Sequence, residues 1–213
     1  MTTSAPLRSP SRSVARPKAS PVTGRMARCL APVVLALALS ACSESLENIS
    51  TVPTATLLRI TEAGAGPITA ATPYSKAGLE SLLPGYTIET VTMASENRTE
   101  TALAAFSNGL QVLQILSAGG GRIAAVHGVT HHMTGPNGER IGMTFVEARQ
   151  DASACRVGTG NWNGMPICTA RGAPSVSLVY AVPGYESSTR LPDQATLAEA
   201  TLQRIIWTPR SGG

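Results

Sequence analysis

Between Leu30 and Ala41 the chain runs through about a dozen almost entirely apolar residues and then reaches Cys42. A membrane-crossing helix needs about 20 such residues, so this run is too short to span and has the length of a signal-peptide core. Ahead of it, residues 1–28 carry Arg8, Arg12, Arg16, Lys18, Arg25 and Arg28 with no acid, among many Ser, Pro and Thr. Such a stretch buries too little apolar surface to offset the entropy of ordering it. Residues 1–41 are therefore expected to be a signal peptide with a basic leader. The 25 residues before Met26 are long for that purpose, which makes Met26 a candidate true start.

This division changes the meaning of the charge. The chain holds 17 Lys+Arg against 13 Asp+Glu, a formal +4. Six of the bases lie in the leader and all the acids lie after Cys42, leaving eleven against thirteen, a formal −2. The electrostatic footprint of a nucleic-acid partner disappears on processing, so none is expected.

The tetrad Leu39-Ser40-Ala41-Cys42 resembles the lipobox of bacterial lipoproteins. Its chemistry needs those residue types: a thiol to accept diacylglycerol, and small side chains that let a peptidase reach the bond before the cysteine. The resemblance implies that Cys42 becomes the first residue and carries acyl chains of the palmitate kind, each buried methylene contributing about 0.8 kcal/mol. Ser43, where an Asp would retain such a protein at the inner membrane, points to the outer membrane of a Gram-negative envelope. Residues 42–54 read as the lipidated start and a polar linker ending near Pro53.

Residues 55–213 are expected to form a single α+β domain, with a mainly antiparallel sheet of about seven strands and two or three short helices. Strand patterns occupy Ala55–Thr61, Tyr86–Met93, Leu103–Ser107, Leu110–Leu116, Arg122–Val129, Ser175–Val182 and Leu202–Trp207, with Ile123, Ala125, His127 and Val129 expected on one face of the fifth, and Val176, Leu178 and Tyr180 on one face of the sixth opposite Val179. Asn108-Gly109 between two of them predicts a type I′ hairpin, because both central residues need positive φ. Ser75 and Asp193 are candidate N-caps of short helices. Thr144-Phe-Val-Glu147 has the capping-box spacing and predicts a third helix running to about Asp151.

Once lipid occupies Cys42 and the leader is gone, Cys155 and Cys168 remain. Export places them in an oxidising compartment, so a disulfide is expected between them. The loop it closes contains Gly158, Gly160, Asn161, Trp162, Asn163, Gly164 and Pro166, and predicts an irregular segment held by the bond.

Several segments together resemble the RpoE-regulated lipoprotein family, small envelope lipoproteins with a domain of unknown function. They are Gly66-Pro-Ile-Thr-Ala-Ala-Thr-Pro-Tyr74, Leu83-Pro-Gly-Tyr86, Ile141-Gly-Met-Thr-Phe145, the Cys155 and Cys168 pair, and Ile206-Trp-Thr-Pro209. The match runs from about Thr56 to Pro209 in order. It implies an outer-membrane address and a link to envelope stress, and it supplies no catalytic residues.

His127, His131 and His132 are the only histidines. On a continuous strand 127 and 131 share a face while 132 points away, so two at most could ligate one metal, and a zinc site needs three or four ligands. Packed or solvent-facing rings are the favoured reading. Glu96 and Glu100 could pair as carboxylates, but a solvated turn accounts for them equally. Trp162 and Tyr185 stand in glycine-rich loops and are the candidate contacts for a glycan or partner protein, with packing over the disulfide as the alternative. The commonest signatures of acyl transfer, metalloproteolysis and nucleotide binding are missing. The chain therefore reads as a non-enzymatic envelope lipoprotein, with its membrane and an unknown envelope protein or glycan as partners and no cofactor. The rival is a small enzyme or metal-binding protein of the periplasmic face using His127 and His131.

Overall fold

The structure, a computed structural model, describes residues 58–184 and 189–210. Cys42, the linker and Tyr185 lie outside the described residues.

Among the described residues, twelve strands form two sheets. The larger has eight strands, all antiparallel, in the order β4 (Thr87–Ala94), β5 (Thr99–Ser107), β6 (Leu110–Gly119), β7 (Arg122–Gly128), β12 (Thr201–Trp207), β11 (Ala173–Ala181), β10 (Pro166–Ala170) and β9 (Cys155–Val157). The smaller has four short strands in the order β3 (Ile68–Thr69), β2 (Gly64–Ala65), β1 (Leu58–Thr61) and β8 (Met133–Thr134), with β1 and β8 parallel. Two helices complete the set, α1 (Lys76–Leu82) and α2 (Gln194–Ala198). The fold is thus mostly β, and the expectation of about seven strands is too low. The unforeseen strands are two to five residues long, too short to show an alternating pattern.

Local signals set the connections. Asn108 (φ 50°) and Gly109 (φ 76°) both take the left-handed conformation between β5 and β6, as a type I′ turn requires. The Ser75 hydroxyl accepts from Gly78 N at 3.1 Å, and the Asp193 carboxylate accepts from Thr196 N at 2.8 Å, so both caps form. The capping box also forms: Glu147 accepts from Thr144 N at 2.8 Å, and Thr144 Oγ1 accepts from Glu147 N at 3.2 Å. The third helix does not follow. Phe145 N instead donates to Ala200 O at 2.8 Å, and Arg149 turns to φ 50°, so the segment closes a turn and is drawn onto β12.

One face of the large sheet carries the main core. Leu113, Ile115, Val126, Leu178, Tyr180 and Trp207 pack there beneath Ile60 and Met133 of the small sheet, Leu79 of α1 and Leu197 of α2. Glu62 fastens these layers. Its carboxylate accepts from Ser175 N at 2.8 Å and Ser175 Oγ at 2.7 Å, while its carbonyl accepts from Trp207 Nε1 at 3.1 Å. Along β11 the expected alternation holds, with Val176, Leu178 and Tyr180 in the main core and Val179 on the opposite face. On β7 it breaks. Ile123 joins the main core, whereas Ala125 packs on the opposite face, because the β6–β7 register shifts between Leu116 and Gly119.

Candidate functional site

The second face of the large sheet is covered by the tip of the β9–β10 hairpin, whose disulfide packs against the main core on the first face. Cys155 and Cys168 sit opposite each other on β9 and β10, joined by a 2.03 Å disulfide with Cα atoms 3.9 Å apart. The expected bond is present, but the segment it closes is a paired hairpin and not merely an irregular loop. The hairpin tip contains a 3-10 turn, Gly160–Trp162, that lays the Trp162 ring over Ile167, Val179 and Ile206. Trp162 is only 7% exposed. Its ring packs on the sheet, the alternative to a freely exposed aromatic group, and it also lines a cleft on this face.

The sheet curls until its first hairpin meets its last. Glu96, in the turn between β4 and β5, receives Arg156 Nη1 and Nη2 at 2.6 Å each, one on each carboxylate oxygen. Thr159 N donates to Glu96 Oε1 at 3.0 Å, Asn161 N to Glu96 O at 2.7 Å, and Asn161 Nδ2 to Ser95 O at 2.9 Å. Gly160 is required in this clasp. It holds φ 54°, and a Cβ there would lie 2.3 Å from Glu96 O. The Arg156 guanidinium, ahead of the other hydrogen bonds, keeps the Glu96 carboxyl below its ordinary range.

Glu96 and Glu100 are neither a carboxylate pair nor a solvated turn. Glu100 has its own guanidinium, Arg98 Nε at 2.9 Å, and accepts from Ser95 Oγ at 2.8 Å. Glu96 and Glu100 are thus each paired with a separate arginine.

Between the clasp and the sheet lies a cleft of about 400 Å³. Its apolar surface comes from Leu116, Ala124, Ala125, Ile167 and Ile206, with Trp162 and His127 beside them and Ser95–Arg98 and Arg156 at the polar side. His127 stands opposite Gln114 of β6 and Ile206 of β12. Its ring centroid is 5.8 Å from that of Trp162, and its Nδ1 is buried with no hydrogen-bond partner. Burial, with a smaller contribution from the Arg204 charge, pushes its pKa down to about 3, so the ring is neutral at any physiological pH. Arg204 does not line the cleft. It donates from Nη1 to Gln114 Oε1 at 2.8 Å and lies 5.7 Å from the Trp162 ring centre, a cation–π contact.

The structure thus brings together Trp162 and His127, which sequence reasoning treated as unrelated, and separates His127 from His131. β7 ends at Gly128, so the shared face assumed for 127 and 131 does not exist. His131 is exposed and stacks on His132, ring centroids 4.3 Å apart. Among the described residues no group of three or more His, Cys, Asp or Glu could hold a metal. Glu96 and Arg156 are the functional residues that pattern reading missed as a pair. They are 60 residues apart, and no local signal joins them.

Fold and site together define a small antiparallel sheet module with one packed face and one partly open face. Residues 45–209 match the family described as protein of unknown function (DUF1131), and the chain belongs to that family. The fold is similar to the crystal structure of the uncharacterized protein yfeY from Escherichia coli, with a TM-score of 0.58 and 18% identity over 70% of this chain and 99% of that one. That identity carries the fold alone. No curated protein matches the chain. The family description assigns no function, so the RpoE-regulated lipoprotein label goes no further than the motif resemblance.

Proposed function

We propose that this protein is a lipid-anchored binding protein of the bacterial outer membrane, held through Cys42, with a non-catalytic role linked to envelope stress. The lipobox-like tetrad and the motif resemblance support the address and the link. Binding, as opposed to catalysis, rests on one observation: His127 lies neutral and unpartnered in a cleft whose carboxylates are each bonded to a guanidinium. A general base needs a proton acceptor poised near the working pH, usually oriented by a second polar group. His127 has neither, whereas an apolar cleft with a few polar groups is what a ligand site needs. The partner is a component of the envelope reached from the membrane surface.

Two measurements test this reading. Mass spectrometry of the natural protein should show an amino terminus at Cys42 carrying diacylglycerol, and Cys42→Ser should leave the membrane fraction. An unmodified thiol, or a variant that still sediments with lipid, would remove the anchor. Metal analysis addresses the rival: zinc or copper at one per chain, lost together in His127→Ala and His131→Ala, would replace the binding reading with a metal-binding one.

A further inference from the structure

Charge pairing around the cleft narrows what it can hold. An ionised ligand group taken out of water needs an opposite charge or several hydrogen bonds in return. Glu96 spends both oxygens on Arg156, and Glu100 is engaged by Arg98. Arg204, which has no carboxylate partner among the ion pairs of the described residues, does not line the cleft and is satisfied by Gln114 and the face of Trp162. The charged side chains that line the cleft are therefore paired, Glu96 with Arg156 and Glu100 with Arg98, so a charged ligand would have to compete with a carboxylate or a guanidinium already in place.

The rest of the lining is apolar apart from His127 and a few hydroxyl and amide groups at the side. A buried polar atom without a partner costs about 1–3 kcal/mol, and such atoms are rare in native proteins. His127 Nδ1 is one of two such side-chain atoms among the described residues, the other being Tyr180 Oη in the main core. Of the two, only His127 belongs to a residue that lines this cleft. A half-turn of the imidazole about Cβ–Cγ exchanges Nδ1 with Cδ2 and Nε2 with Cε1 without moving the backbone, so the ring has two placements for its nitrogens.

From these groups we infer that the cleft binds a compact, uncharged, mainly apolar molecule bearing one hydroxyl or carbonyl group, which hydrogen-bonds His127 while its body lies over Ala125 and against Trp162. The volume, about 400 Å³, falls within the range of small-molecule sites. This inference rests on the binding reading above and names the ligand chemistry for it.

The test uses the mature lipidated protein in lipid nanodiscs and three probes of one shape: benzyl alcohol, benzoate and benzylammonium. The readout is the NMR signals of ¹⁵N-labelled histidine rings and tryptophan indoles. With three histidines and two tryptophans in the chain, His131, His132 and Trp207 serve as internal references. Benzyl alcohol should shift His127 and Trp162 saturably and leave the references still, while the two charged probes do neither at the same concentration. His127→Phe should weaken benzyl alcohol about tenfold or more, the factor expected from one hydrogen bond at a buried group. Should that variant fail to fold, as Trp207 would report, Ala125→Leu, which fills the apolar surface, should abolish the shifts. Stronger shifts with benzoate or benzylammonium would overturn the uncharged class and leave the binding reading standing. An unchanged affinity in His127→Phe would remove the hydrogen bond at the centre of the inference. No response at His127 or Trp162 to any probe would overturn the inference and the cleft-binding reading together.

Discussion

On one face of the eight-stranded sheet, Leu178, Tyr180 and Trp207 are sealed beneath a second sheet and two helices. On the other, Trp162 covers Ile167, Val179 and Ile206, and a clasp of two hairpin tips stands beside an open cleft. The first face is closed by apolar area, which is non-directional and tolerates many sequences. The second is closed by hydrogen bonds between named groups, which are directional and can be undone one at a time. The first face supplies most of the stability, and the second is where a ligand can enter without disturbing the core.

Removing a core side chain should have the largest effect. Leu178→Ala, at a fully buried position, should cost about 2–5 kcal/mol in urea unfolding, and the comparison fails if a change on the cleft side, such as Ile206→Val, costs as much. Next comes the disulfide. Replacing Cys155 and Cys168 together by Ser should cost about 3 kcal/mol, since the bond spans a sequence separation of 13. Because Trp162 lies in the hairpin that the bond closes, the loss should show as faster hydrogen exchange at Trp162 than at Trp207.

His127 gives the third. The unfolded chain takes up its proton near the ordinary value of 6.5, whereas the folded chain resists until about 3. Below pH 6.5 the unfolded state therefore binds more protons, and stability falls on acidification by up to about 1.4 kcal/mol per pH unit. His127→Phe should flatten that slope, and an unchanged slope between pH 6 and about 4 would show that the ring is not sealed. Smallest is the clasp. Arg156 is over half exposed, so Glu96→Gln should cost only about 1 kcal/mol after solvent screening. With its folded pKa lowered, Glu96 contributes stability above about pH 4.3 that is lost as pH falls through the folded value. The Gln variant should lack that acid-side loss.

Much of the core face was legible in the chain. Alternation in Ser175–Val182 located Leu178 and Tyr180, Asn108-Gly109 located a hairpin, and Ser75 and Asp193 located two helix starts, because each signal acts within a few residues. The capping box at Thr144 was legible and misleading. Its hydrogen bonds form, yet Arg149 takes φ 50° and the chain leaves the helix after one turn. The clasp was not legible, since Glu96 and Arg156 meet only when an entire sheet curls between them. The face of His127 was misjudged for a related reason: register shifts in β6 and β7 turn Ile123 and Ala125 to opposite sides.

By itself, the order of residues determined where seven of the twelve described strands fall, where several turns and caps lie, that Cys155 and Cys168 are the two cysteines after Cys42, and that an apolar run ends at Cys42. These depend on backbone preference and side-chain chemistry over short spans. Only the tertiary structure decided that His127 and Trp162 share a cleft, that Arg156 neutralises Glu96, and that Arg204 stands apart from that cleft. Those outcomes depend on which strands become neighbours and how far the sheet twists, and both follow from the summed packing of the whole chain.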